Sequence, residues 1–131
     1  MSFKVINPES LGTPHGYSNG VLADAGGLLF IAGQIAWDRQ QQIVSADIVE
    51  QFDRALANLL AVVTEAGGKP DQITRLVIYV IDRNEYRERM REIGERYRAR
   101  MGKHFPAMVL VEVAGLLEDS AKIEIEGIAV L

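Results

Sequence analysis

The sequence predicts a single α+β domain over residues 1–131, ordered β-β-β-α-β-α-β-β, with two helices packed on one face of a mixed sheet. Three observations lead there. Ile48, Phe52, Ala55, Leu59, Val63 and Ala66 recur at helical steps of three and four. Thr74 to Ile81 is β-branched and nearly all apolar from Leu76, the pattern of a central strand buried on both faces. Near the C-terminus, Lys122, Glu124 and Glu126 alternate with Ile123 and Ile125, the period of a strand with one buried side.

The remaining elements follow in order. Phe3 to Ile6 reads as a first strand closed by Asn7-Pro8, and residues 7–16 as a loop rich in proline and glycine. Tyr17 to Ala25 and Leu28 to Ala32 flank Gly26-Gly27, a pair suited to the positive φ of a two-residue hairpin turn. Ser45 is the expected N-cap of the first helix, with Asp47 in its first turn, and Gly67-Gly68 and Pro70 stop it. Asn84 is the expected cap of the second, whose stripe is Tyr86, Met90, Ile93, Tyr97 and Met101 before Gly102. Ala107 to Val113 and Ala121 to Val130 are the last strands, joined by a loose hairpin over 115–120.

Composition narrows the function classes. Hydrophobic residues make up 48% and charged residues 24%, which suits a globular domain rather than a disordered chain. The absence of cysteine removes disulfides, thiolate nucleophiles and Cys-based metal sites. No apolar stretch approaches the ~20 residues of a membrane span, and Met1 to Lys4 do not begin a signal peptide, so a cytoplasmic protein is expected. The formal net charge is −4, yet residues 83–103 hold eight basic and four acidic side chains. This basic segment reads either as an RNA surface or as a solvated helix laced by Glu85–Arg89 and Glu92–Arg96 pairs. The acidic chain favours the second, and nucleic acid is not an expected partner. Two helices cover only one sheet face, so the other, largely apolar, calls for self-association.

Few residues stand out as chemistry. Glu124 and Glu126 share a strand side, and Glu112 on the preceding strand joins them if register allows. They read as an acid–base site or as a solvated face. Tyr17 sits at a loop-to-strand junction, where a phenol either donates to a ligand or packs its ring locally. Gly33 marks a bulge, a close approach of backbone to a ligand, or both. His15 and His104 lack metal-ligand spacing, and GxSxG, GxGxxG and P-loop patterns are missing, so neither metal nor cofactor is expected.

Gly16-Tyr17-Ser18, Ile31-Ala32-Gly33-Gln34, Glu50-Gln51, Asn58-Leu59, Phe105-Pro106-Ala107 and Glu124-Ile125-Glu126-Gly127-Ile128-Ala129-Val130 together resemble the Rid family (RidA/YjgF, also labelled endoribonuclease L-PSP) along nearly the whole chain. The resemblance implies a chorismate-mutase-like fold, a homotrimer, and a small-molecule site in each cleft between subunits. It also implies metal-free, cofactor-free hydrolysis of enamines and imines to 2-oxo acids and ammonia. Carried over residue by residue, Glu124 would place the attacking water, Tyr17 would donate to substrate, and Gly33 and Ala107 would line the cleft. Three positions depart from the pattern. Ala32 stands where a serine is common, Met108 where the carboxylate-gripping arginine follows Phe-Pro-Ala, and Met90 where an asparagine is often found on the second helix. Losing one partner of a desolvated charge pair costs about 2–5 kcal/mol, so an altered substrate preference is expected. A non-catalytic metabolite-binding or interaction module is the alternative.

Overall fold

The computed structural model describes residues 3–24 and 26–131. Its strands are β1 (Phe3–Ile6), β2 (Gly20–Ala23), β3 (Leu28–Gln34), β4 (Ile73–Val80), β5 (Ala107–Glu112) and β6 (Ile123–Val130). Its helices are α1 (Ile48–Glu65), α2 (Arg83–Glu88) and α3 (Met90–Met101). Four strands form a mixed sheet in the order β3-β6-β4-β5, and β1-β2 make a separate antiparallel ribbon. The α+β class is as the sequence predicts, and the pairing differs in two places.

First, Gly26-Gly27 does not close a β2–β3 hairpin; Ala25, within that expectation, lies outside the described residues. β2 pairs with β1 instead, in the register Phe3↔Ala23 to Ile6↔Gly20. Just before β2, Ser18 is fastened to the opposite edge of the main sheet. Its N–H donates to Pro106 O at 3.1 Å and its hydroxyl to Phe105 O. That tether holds the ribbon beside β5, three strand positions from β3. Gly27 is taken up by the last residue, exchanging backbone hydrogen bonds with Leu131 at 3.1 and 2.8 Å.

Second, β5 and β6 are not a hairpin. β4 lies between them, parallel to β5 and antiparallel to β6. Placing the most apolar strand between two others buries Ile73, Leu76, Ile78 and Val80 on the helix side and Val77 on the other. Arg75 stays exposed and Tyr79 half-exposed, so the strand is not buried on both faces as expected, because no helix covers the second face. The α2–α3 segment then serves as the long crossover that parallel β4 and β5 need.

The helix caps also differ. Asp47, not Ser45, caps α1, accepting from Glu50 N. Asp82, not Asn84, caps α2 and accepts from the N–H groups of Asn84 and Glu85. Both carboxylates satisfy amides that a helix start leaves open. The expected single second helix is broken at Arg89, whose φ of −111° and ψ of 13° leave the helical region.

The core lies between the helices and one sheet face. α1 buries Ile48, Phe52, Ala55, Leu59 and Val63 against Leu76, Ile78, Ile123, Ile125 and Ala129, and α3 adds Ile93, Tyr97 and Met101. Gln51 is buried with them and fully bonded. Its amide donates to Ser45 O and Ser120 O at 2.8 and 3.0 Å, and its oxygen accepts from Lys122 N at 2.8 Å. One side chain therefore ties the loops before α1 and before β6 to the helix. Gly127 is glycine for a steric reason: a Cβ there would lie 2.9 Å from Arg75 O of the neighbouring strand.

Candidate functional site

The uncovered sheet face carries the carboxylates. Alternation along β6 turns Ile123 and Ile125 into the core and leaves Glu124 and Glu126 half-exposed opposite. In β3, the two residues between Ile31 and Gln34, Ala32 and Gly33, oppose the one residue Glu126 of β6 and form a bulge. Gly33 lies in the bulge that its position implies, and what approaches its backbone closely is the side chain of Glu124. A Cβ on it would lie 2.8 Å from Glu124 Cδ, so its bare backbone lets the Glu124 carboxylate lie flat across β3. Ala32 is exposed, and its carbonyl accepts from Gln34 Nε2 at 3.2 Å. Beside them, the Tyr79 hydroxyl donates to Glu126 Oε1. That bond, with help from burial, raises the tyrosine pKa, because ionising the phenol would set two anions side by side. Glu126 is thus engaged, and Glu124 is the carboxylate left against open backbone.

Glu112 does not join this group. It is level with Val80 on β5, so its side chain belongs to the opposite side of the sheet, where it accepts from Arg83 N at 2.9 Å.

A second cluster forms where β5 begins. Tyr17, Arg75, Ala107 and Met108 line a groove of about 210 Å³. The Ser18 tether brings Tyr17 there, and the register sets Arg75 beside Ala107. Met108, the next residue, turns towards the helices. It packs against the core margin and also lines an apolar cavity under α2 and α3.

The structure thus brings the expected site residues together in two halves. Tyr17, Ala107 and Met108 form one; Ala32, Gly33 and Glu124 form the other. Ala107 is level with Arg75 and Ile128, whereas Glu124 is level with Tyr79 and Val111. Four residues along the strands and two strands across separate them by about 13 Å and about 10 Å. No single chain closes that gap.

Sequence reasoning missed Tyr79 and Arg75; a phenol and a guanidinium on an otherwise apolar strand were the available signals. It also misassigned the basic segment. Arg89 pairs with Asp47 and Glu92, Arg96 with Glu50 and Asp53, and Arg100 with Asp53, all between 2.6 and 3.2 Å. Glu85 pairs with Lys122 instead of Arg89. These arginines clamp α3 to α1 across the helix layer. The Arg100 and Arg96 guanidinium groups hold the Asp53 carboxyl below its usual range, and Arg89 does the same for Asp47. His104 is likewise structural, its Nε2 lying 2.7 Å from Ile73 O. Among the described residues, no group of three or more His, Asp or Glu side chains is arranged to hold a metal. No helix among them is long and apolar enough to cross a membrane.

This arrangement defines a class: a small α+β protein with a helix-covered sheet whose open face carries a carboxylate set over a bulge glycine. Comparison with known proteins resolves it further. The model of the family described as "Endoribonuclease L-PSP" matches residues 8–131, and the chain belongs to that family, the Rid proteins. It is 36% identical over 131 residues to a RutC family protein of Pyrococcus abyssi, covering 98% of each chain. It is 37% identical over 117 residues to a 2-iminobutanoate/2-iminopropanoate deaminase of Salmonella typhimurium, covering 87% of this chain and 86% of that one. The crystal structure of the Rid-family protein YyfB from Yersinia pestis, described as of unknown function, superposes with a TM-score of 0.88 at 33% identity over the full length of both.

Proposed function

We propose that the protein is a metal-free, cofactor-free imine or enamine hydrolase of the cytoplasm that works as a homotrimer, with its site between subunits. The separation of the two half-sites carries this reading. A second copy seated on the open sheet face would bring its Tyr17–Ala107–Met108 half to the first copy's Gly33–Glu124 half. The same contact would cover an apolar face that water disfavours.

In this site Glu124 orients a water molecule against the C=N carbon. A C–O bond forms, and the water proton passes by way of Glu124 to the nitrogen. The carbinolamine hydroxyl then gives its proton, again by way of Glu124, to the amine nitrogen, the C=O double bond forms as the C–N bond breaks, and ammonia leaves with the C–N electron pair. Tyr17 donates to the substrate, and peptide N–H groups near Gly33 and Ala107 face the developing negative charge. Met108 offers no fork for a carboxylate, so simple short-chain 2-imino acids are poor substrates.

The test is ammonia release from freshly generated imines, comparing wild type with Glu124→Gln. The substitution is near-isosteric but removes the proton acceptor, and a fall of about 100-fold or more is expected. Thermal unfolding should be unchanged. Wild-type turnover that survives Glu124→Gln sinks the assignment. A wild type that binds the oxo acid product without turnover, with Glu124→Gln binding equally well, establishes the binding module instead.

A further inference from the structure

Arginines in the helix layer differ in one respect. Arg89, Arg96 and Arg100 each engage carboxylates of α1 or α3. Arg98, also on α3, has no ion-pair or hydrogen-bond partner among the described residues. Its guanidinium folds back over Gly94, where even a Cβ would come within 3.2 Å of Nη1. Both residues line the cavity that Met108 also lines, a space of about 170 Å³. The other walls are chiefly apolar, with Phe52, Ile78, Ile93 and Phe105 among them. Tyr97 is there too, stacked on Phe105 at 5.6 Å with its hydroxyl already given to His104 O at 2.6 Å. Tyr86 is different: it lines the same space, and its hydroxyl has no partner among the described residues. Burial pushes that phenol up to about 12, so it remains a donor at neutral pH.

An apolar cavity of about 150 Å³ holds a benzene-sized molecule. This one presents free donors, a cation and a phenol, and no carboxylate among its lining residues. We infer that the cavity binds a carboxylate carrying a bulky apolar or aromatic body, with Arg98 as the carboxylate's partner and Tyr86 as a second donor. The cation absent at Met108 is thereby supplied from α3, and Met108 becomes part of the wall that receives the apolar body. This rests on the preceding function only in naming such carboxylates as the class from which the imine substrate or its oxo acid product comes. Arg75, another arginine near Met108 with no ion pair among the described residues, lines the groove of the open face and not this cavity.

Binding of three probes to the intact protein by calorimetry tests this. Phenylpyruvate has both features, pyruvate lacks the apolar body, and phenylacetone lacks the carboxylate. Phenylpyruvate should bind at least about tenfold tighter than either. Arg98→Met should bring phenylpyruvate down to the level of phenylacetone, and Arg98→Lys should restore part of the difference. Gly94→Leu should fill the cavity and abolish binding of all three, with thermal unfolding confirming that the variant is folded. Arg91→Met, which removes a 93% exposed arginine of the same helix, should change nothing. Equal affinity for pyruvate and phenylpyruvate, undiminished binding in Arg98→Met, loss in Arg91→Met, or no phenylpyruvate binding would each overturn the assignment. Because these are binding measurements, carboxylate affinity without ammonia release leaves the cavity assigned and refutes the hydrolase. Ammonia release from imines with no carboxylate affinity does the reverse.

Discussion

The two faces of the main sheet are made from the same four strands, yet they solve opposite problems. On the helix side, Ile73, Ile123, Ile125 and Ala129 are wholly buried. On the open side, Phe30 is 69% exposed, Leu28 61% and Val109 43%, with Arg75, Glu124 and Glu126 among them. The covered face gains stability by removing apolar surface from water, and among the described residues its fully buried side-chain polar atoms all have hydrogen-bond partners. The open face retains exposed apolar surface and, at Glu124, a carboxylate with no bonded partner among the described residues, features that do not add to the stability of one chain. The lesson is that alternation along a strand can put a folding core and a working surface one residue apart.

Four substitutions or conditions would break or sharpen this contrast. The largest effect is expected on the covered face. Phe52→Ala leaves a cavity between α1 and the sheet, and urea unfolding should show a loss of about 3–5 kcal/mol. A loss below 1 kcal/mol would mean that the core is not packed there. Gln51→Leu comes next, at about 2–3 kcal/mol, because it strands Ser45 O, Ser120 O and Lys122 N in a buried setting. A neutral result would show that water reaches those groups.

On the open face, Phe30→Glu should change single-chain stability by less than about 0.5 kcal/mol while shifting the sedimenting species to monomer. An unchanged oligomer would place the contact elsewhere. The smallest effect is electrostatic. Asp47 and Asp53 have folded-state pKa values below the usual range, so they release protons more readily in the native protein than in the unfolded chain. Their contribution is fully present above about pH 4, the unfolded carboxylate range, and is lost as pH falls through the lowered folded values. Asp53→Asn should therefore cost about 1 kcal/mol or less at pH 7 and flatten the fall in acid. A steeper fall in the variant would contradict the assigned pairs.

The elements were legible because each rests on a local period. The α1 stripe, the apolar run of β4 and the alternation of β6 all appear where the residues place them. So does the bulge at Gly33, whose position inside an apolar strand was signal enough. Pairing was less legible. Two glycines between apolar runs suggested a β2–β3 turn, but a tether from Ser18 to Phe105, 87 residues away, and to Pro106 beside it decided against it. The ion pairs expected within the second helix went to α1 instead, because a helix neighbour offers carboxylates that sequence spacing cannot show.

By itself, the sequence determined the α+β class, the faces of the helices and strands, the family, and the chemical identity of the candidate residues. Those properties follow from side-chain period and composition, which are local. Only the tertiary structure decided strand order, the division of the candidate site into halves about 13 Å and about 10 Å apart along and across the strands, and the isolation of Arg98 beside Met108. These depend on which distant segments meet, and a one-dimensional pattern specifies that only when every local preference has been weighed in three dimensions at once.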